Sequence, residues 1–273
     1  MTLVLFVRHG LTAGTGHVLT GRMPGIPLDD RGREQARALA ARLAGMPLDA
    51  IVTSPLQRCE QTARAIAAAH DEPPPVHTDE QLIEVGYGDW TGKPLRRLAK
   101  EPLWQVVQAH PSAVRFPGHH GEAMADMAHR AVAAVRDWNA RLGPRAAYLV
   151  CSHGDVIKAI LADSLGMHLD LCQRIQVDPC SVSIVRYTPL RPFVVRMNDI
   201  GGDIGGLARA IAGVKDRSAR DLGEAAVGGG AGGAGGMAAG DSGGSGADGA
   251  QLAMDGAGGS GSGHAVVGHG TGG

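Results

Sequence analysis

The stretch LVLFVRHGLTAGTG, Leu3 to Gly16, decides the fold. Leu3–Val7 is an apolar run that suits a buried strand, and Arg8-His9-Gly10 ends it with a cation and an imidazole before a loop of small residues. The run does not suit export: it is shorter than a typical signal core, no basic residue precedes it and no small-residue cleavage site follows. It reads as an opening β-strand whose carboxyl end presents Arg8 and His9 to a glycine-containing loop. In open α/β sheets ligands bind beside the carboxyl ends of strands.

Further strand-like runs occur at Ala50–Thr53, Ala146–Cys151, Ser181–Tyr187 and Phe193–Met197, with helical patterns at Arg31–Leu43, Leu56–Ala69, Glu122–Leu142 and Val156–Leu165. This alternation predicts an α/β domain of three layers, a mostly parallel central sheet with helices on both faces. The last two strands are joined by TPLRP, short enough for an antiparallel edge hairpin. Gly118–Gly121 precedes a helix expected to open at Glu122, where a carboxylate suits the helix dipole. EPLWQVVQAHP reads as a short amphipathic helix inside a long excursion between Glu84 and Ala146, placed as a lid over the site.

Composition limits the folded part. More than half of the 42 glycines fall after Leu222, in a tract without aromatics and with few branched aliphatics. Such a tract cannot bury enough apolar surface to offset its backbone entropy, so disorder is expected there. The expected division is a folded domain over 1–205 and a glycine-rich tail over 206–273. The formal net charge is −1, which implies no strong nucleic-acid or membrane field, and no apolar run is long enough to span a bilayer. Cys59, Cys151, Cys172 and Cys180 are scattered and form no CxxC pair, which reads as a reduced, cytoplasmic protein with buried thiols. Cys151 lies in the apolar run AAYLVC and reads as core before it reads as a catalytic thiol.

Four segments share one chemical logic. Arg8-His9-Gly10 ends the first strand; TSPLQRCEQTA places Arg58 on the first turns of a helix; QLIEVGYGDWTG carries Glu84 in a glycine-rich loop; VCSHGDVIKAI puts His153 at a strand-to-helix turn. Two arginines and a histidine make a cationic nest whose fork donors fit a tetrahedral oxyanion. Gly10 and Gly154 allow close backbone approach to an anion, and helix N-termini near Arg58 and His153 add dipoles of the right sign. The remaining histidine can be a nucleophile and the glutamate a proton donor. No ligand set for a hard metal is apparent, so charge neutralisation falls to arginine and the constellation asks for metal-free phosphoryl transfer.

In that order and spacing the motifs resemble the histidine phosphatase superfamily, the phosphoglycerate mutase-like fold. The resemblance rests on Arg8-His9-Gly10, on Ser54, Leu56, Arg58, Gln61, Thr62 and Ala63, on Glu84 with YGDWTG, and on His153 in SHGD, and it spans residues 1 to about 187. LTGRMPGIPLDDRGREQA resembles the family's loop and following helix, which implies Thr20 and Gly21 near the substrate phosphate. The resemblance implies that His9 attacks phosphorus, that Arg8, Arg58 and His153 stabilise its oxygens, and that Glu84 protonates the departing oxygen and then deprotonates water. A backbone carbonyl is expected to hold the second ring nitrogen of His9. The chain departs from the family at Leu11, commonly acidic or polar, and at Gly14-Thr15, where some members carry Trp-Asn; Thr15 or Thr12 would replace that amide.

His17, His70, His77, His110, His129 and His168 read as ordinary polar histidines; His119-His120 before Glu122 read as a rim contact rather than a metal site. Asp79, Glu80 and Asp89 are rivals to Glu84 as the acid. EVGYGDWTG and the modest Glu84–His153 excursion favour hydrolysis of a small phosphorylated metabolite; a phosphomutase comes second, and a weakly catalytic phospholigand- or protein-binding member third. No cofactor is called for, and a homo-oligomer stays open.

Overall fold

A computed structural model describes residues 1–202 of the chain; the expected domain boundary and the glycine-rich tail lie outside the described residues. Strand β1 (Thr2–Arg8) sits near the centre of a six-stranded sheet with β2 (Ala50–Thr53), β3 (Val76–Thr78), β4 (Ala147–Ser152), β5 (Val182–Tyr187) and β6 (Pro192–Asp199), in the order β3-β2-β4-β1-β5-β6. Strands β3, β2, β4 and β1 run parallel, whereas β5 is antiparallel to β1 and β6 to β5. The fold is the expected α/β class with its antiparallel hairpin at one edge.

Alternate residues of β1 feed two cores. Val4 and Phe6 join Tyr148 and Val150 against α5 (Met124–Leu142) and α6 (Gly154–Ser164). Leu5 and Val7 join Ile51 and Leu149 against α1 (Asp30–Leu43) and α2 (Gln57–Ala67). A strand covered on both faces has no solvent side, so its sequence is an unbroken apolar run rather than an alternating one. Helix α1 opens on Asp29, whose carboxylate accepts from the Gly32 amide at 2.7 Å, and buries Ala36, Leu39, Ala40 and Leu43 at helical spacing.

Two short helices, α3 (Leu95–Leu98) and α4 (Pro102–Ala109), occupy the excursion after β3. Helix α4 is the expected amphipathic segment and buries Trp104 and Val107. Helix α5 begins later than expected, at Met124. Glu122 therefore lies ahead of the first turn, and two arginines claim its carboxylate instead of the helix dipole. Strand β3 has no apolar signature: its three residues are all exposed, and Pro73–Pro75 precede it. Only Pro75 O, accepting from Ile51 N at 2.9 Å, and the pairing to β2 define it.

The topology places the chemistry. Arg8 lies in register with Ser152 on β4, and Thr53 of β2 with Cys151. The residues that follow these strands, His9, His153 and Ser54, therefore leave the sheet side by side at its carboxyl edge.

Candidate active site

The His9 ring is buried, and its Nδ1 lies 2.7 Å from the Gly10 carbonyl. A carbonyl can only accept, so Nδ1 carries the hydrogen and Nε2 is the bare nitrogen. Arg58 Nε donates to that Nε2 at 3.2 Å, and an arginine can only donate, which fixes the same tautomer independently. Burial, then the charges of Arg58 and Arg8, hold the ring well below the usual histidine range against the pull of the Gly10 carbonyl. His9 is thus a neutral imidazole with a fixed, available lone pair.

Gly10 makes this possible by packing. A Cβ there would sit 2.6 Å from the Gly32 carbonyl of α1. Its amide donates to Thr62 Oγ1 at 3.2 Å, so both of its backbone polar groups are engaged within the protein. The helix α1 close approach is what the glycine serves.

Arg58 enters on the second residue of α2. Its Nη2 donates to Gly21 O at 2.8 Å and meets His153 Nδ1 at 3.2 Å, while Nη1 is buried without a hydrogen-bond partner. A buried guanidinium nitrogen left unpaired is costly, and an anion in the pocket would satisfy it. Gly21 has φ +50°, and a Cβ on it would strike the Tyr87 ring at 2.9 Å, so the residue that receives Arg58 must be glycine. Arg8, also buried, donates from Nη1 to Val177 O at 2.8 Å.

His153 caps α6 and is fully buried. Since Arg58 donates to Nδ1, Nε2–H is the donor to Ser54 Oγ at 2.7 Å. Its ring centroid is 5.3 Å from that of His9, and burial followed by the Arg58 charge holds it well below the usual histidine range. It stands behind Arg58 rather than on the pocket wall. Gly154, the first residue of α6, is buried beneath the same turn.

Glu84 approaches from the loop after β3. The Ser152 hydroxyl at the end of β4 donates to Leu82 O at 2.8 Å, which ties this loop to the sheet edge two residues before Glu84. Glu84 Oε1 accepts from the Val85 amide at 3.0 Å, and Oε2 lies 3.9 Å from His153 Nδ1. Burial, then repulsion from Asp155, pushes the carboxyl up to about 7, against the Val85 amide and the charges of Arg58 and Arg8. Near neutral pH a large fraction of Glu84 carries a proton to give.

A small polar pocket collects Arg8, His9, Thr15, Thr20, Gly21, Arg58 and Glu84, with Val18, Tyr87 and Leu95 at its sides. Thr15 lines it, but its hydroxyl accepts from the Thr12 amide at 3.0 Å and shares a hydrogen with Thr12 Oγ1 at 2.9 Å, so it braces its own loop. A wider groove between α5 and α6, bordered by Ala128, Val132, Met167 and Leu169, carries none of these groups. Of the rival carboxylates, Asp79 accepts from Trp138 Nε1 at 2.7 Å, while Asp89 is exposed and packs against Gly118. Cys151 is buried, and burial pushes its thiol well up, which suits core and not a nucleophile. Among the described residues no group of three or more histidine, cysteine or carboxylate side chains could hold a metal ion, and no helix is long and apolar enough to cross a membrane.

Several participants are given no role in the site by the sequence reading. Tyr87 donates to Asp155 Oδ2 at 2.7 Å, and Lys158, buried 3.9 Å from Asp155 Oδ1, donates to Gln173 Oε1 at 2.9 Å. Ser54 is marked by its motif without a role, and Asp155, a neighbour of His153, could have been given one by asking which polar groups follow each strand. Arg22, Glu122 and Arg130 have no such local signal.

A neutral histidine beside two buried arginines, with a buried carboxyl lining the same pocket, defines the class. The model of the histidine phosphatase superfamily (branch 1) matches residues 4–200, and the chain belongs to that superfamily. A protein of Yersinia enterocolitica named probable phosphoglycerate mutase GpmB is 32% identical over 190 residues, covering 68% of this chain and 86% of that protein. Glucosyl-3-phosphoglycerate phosphatase of Mycolicibacterium vanbaalenii is 34% identical over 182 residues, covering 61% of this chain and 76% of that one. Among solved structures, Bacillus stearothermophilus YhfR aligns with a TM-score of 0.66 at 27% identity, over 74% of this chain and 98% of its own. The chain spans 64% of the length of two curated Mycobacterium tuberculosis relatives, which match 49% of it.

Proposed function

We propose that the protein is a phosphomonoester hydrolase that acts on a small phosphorylated metabolite through a phosphohistidine on His9. The observation that carries this reading is the fixed tautomer of His9, a bare Nε2 facing the pocket side of Arg58 with Nδ1–H on Gly10 O. In the first step the Nε2 lone pair attacks phosphorus in line, the P–O ester bond breaks, and the Glu84 acid gives its proton to the departing oxygen. Arg8 and Arg58 hold the charge on the equatorial oxygens, where preorganised donors contribute most. In the second step Glu84, now a carboxylate, takes a proton from water. The water oxygen attacks phosphorus, the P–Nε2 bond breaks, and phosphate leaves with His9 neutral again. Metal is not needed for charge neutralisation when two buried guanidinium groups supply it.

Hydrolysis is preferred over mutase chemistry because a mutase must grip a second acidic group, and three arginines of the loops and helix around Glu84 and Glu122 are engaged by carboxylates instead. Arg22 and Arg130 pair with Glu122, and Arg115 with Asp126. The mutase reading keeps support from the relative of that name. Turnover of a panel of phosphomonoesters, with and without a bisphosphoglycerate primer, decides between them. Release of phosphate without primer, through an acid-labile phosphate on His9 and undiminished by EDTA, is expected. Activity that appears only with primer would make the protein a mutase, and ligand binding without turnover would make it a binding member.

A further inference from the structure

The loop that carries Glu84 is gripped from behind by one carboxylate. Glu122 Oε2 accepts from Arg22 Nη2 at 2.7 Å, from Arg130 Nη2 at 3.0 Å and from the Gly86 amide at 3.0 Å; Oε1 accepts from Arg130 Nε at 2.7 Å. The same two arginines reach past it to one acceptor, the Glu84 carbonyl, with Arg22 Nε at 2.6 Å and Arg130 Nη2 at 3.2 Å. Backbone closes the ring, since the Glu122 amide donates to Gly86 O at 2.8 Å. The approach is close enough that a Cβ on Gly86 would meet His120 O at 2.7 Å and Glu122 Cβ at 3.2 Å. Burial alone would raise the Glu122 carboxyl, but the Arg130 hydrogen bond and charge, the Gly86 amide and Arg22 outweigh it and hold it below the usual carboxylate range. It is therefore an anion that neutralises two cations lying against the acid's own backbone.

We propose that Glu122 is the positioning residue of the general acid: through Arg22, Arg130 and the Gly86 amide it fixes the backbone at and just after Glu84 and sets that carboxyl against His9. This rests on the reading of Glu84 as the proton donor. It assigns the residue between His119-His120 and α5 to the chemistry without contact to substrate. The clamp also balances charge. Glu84 is faced by Arg8 from β1, Arg58 from α2, His153 and Asp155 from the start of α6, Arg130 from α5, Tyr87 from its own loop, and Arg22 from the loop after β1. Removing the Glu122 charge leaves Arg22 and Arg130 uncompensated beside Glu84, which favours its ionised form.

The test compares Glu122→Gln, Arg22→Gln and Glu84→Gln with the unmodified chain, using an alkyl phosphate and nitrophenyl phosphate over a range of pH, with thermal melting to confirm folding. Glu122→Gln is expected to lower kcat on the alkyl phosphate by about tenfold to a hundredfold, the scale of a misplaced catalytic group, and to affect nitrophenyl phosphate much less. The alkaline limb of its pH profile moves to lower pH. Arg22→Gln keeps Arg130 in place and removes a cation, so its split between substrates is smaller and its limb moves to higher pH. It serves as the test if Glu122→Gln does not fold. Equal loss on both substrates with an unmoved limb, or no loss at all, overturns the inference. If Glu84→Gln itself shows no split between substrates, the reading of Glu84 as the acid fails; if Glu84→Gln splits and Glu122→Gln does not, the positioning role alone fails.

Discussion

The two halves of the site are built by different means. The phosphate half, Arg8, His9, Arg58 and His153, stands on strand ends and helix starts, where regular elements set the backbone of each residue. The acid half, Glu84, hangs on an irregular loop whose position depends on Arg22, Arg130 and Glu122. The charge logic differs too. The cationic half keeps its histidines neutral by crowding them with arginine, whereas burial and Asp155 keep a proton on the carboxyl that must give one away. On the proposed reading, a nucleophile and an acid with opposite needs for a proton share one pocket at one pH, because each sits in the field that suits it.

The largest effects fall on the phosphate half. His9→Ala removes the atom proposed to bond phosphorus, and a loss of about 10⁴-fold or more in kcat is expected for every substrate. Arg58→Ala leaves the nucleophile but removes the donor of Nε to His9 and of Nη1 to the pocket. The loss should be roughly a hundredfold or more, and again indifferent to the leaving group. An Arg58→Ala enzyme that lost activity only on alkyl phosphates would break the division between halves.

The acid half should be sensitive to the leaving group. An alkyl alkoxide needs the proton, whereas a nitrophenolate leaves without it. Glu84→Gln should cost about 10²-fold or more on alkyl phosphates and far less on nitrophenyl phosphate while phosphohistidine formation limits the rate. Equal losses, with that step still limiting, would move the acid elsewhere. Asp89, exposed and packed on Gly118, is then the next residue to change.

These halves also differed in how far the sequence revealed them. Arg8-His9-Gly10, the Ser54–Ala63 segment and SHGD each pair a regular element with its functional residue, so element and chemistry are read together. Strand β1 is legible because burial on both faces leaves an unbroken apolar run, and β3 is not, because an exposed three-residue strand after prolines has no pattern to show. Glu84 was visible as a residue but not its support. Arg22 and Glu122 are 100 positions apart, and Arg130 reaches Glu84 across 46. Glu122 read as a helix-dipole carboxylate because only the helix was local. A dipole contributes about 0.3–1 kcal/mol, and two arginines within hydrogen-bond distance outweigh it.

The pH dependence gives a smaller effect that sharpens the same contrast. His9 is held well below its usual range, so it is unprotonated throughout the neutral region, and Glu84 at about 7 supplies the alkaline limb. For an alkyl phosphate kcat/KM should fall as pH rises through about 7, since the proton to be given is lost. A phosphomonoester's second ionisation lies at about 6 or below, so above about pH 7 both substrates are dianions and the ratio of the two profiles there isolates Glu84. In kcat the limb should lie higher still, because a bound dianion adds negative charge beside the carboxyl. A ratio that stays flat from pH 6 to pH 9 would contradict the assignment.

The smallest expected effect is on stability, and it comes from the same carboxyl. Glu84 ionises near 4.5 when the chain is unfolded and near about 7 when folded, so folding favours its protonated form. The stability this contributes is fully present below the unfolded value and is lost as pH rises through the folded one. Above about 7 the protein carries a buried carboxylate at a cost on the order of 3 kcal/mol. Glu84→Gln keeps an oxygen for the Val85 amide and removes the charge. At pH 8 the substituted protein should melt roughly 6–12 °C higher than the unmodified one, the shift that this free energy implies for a domain of this size. At pH 4, below the unfolded value, both states hold Glu84 protonated and the two should melt together to within about a degree. A gain of the same size at both values would mean that the charge is not what Glu84 costs the fold, and the field that makes it an acid would have to be sought in something other than its burial beside Asp155.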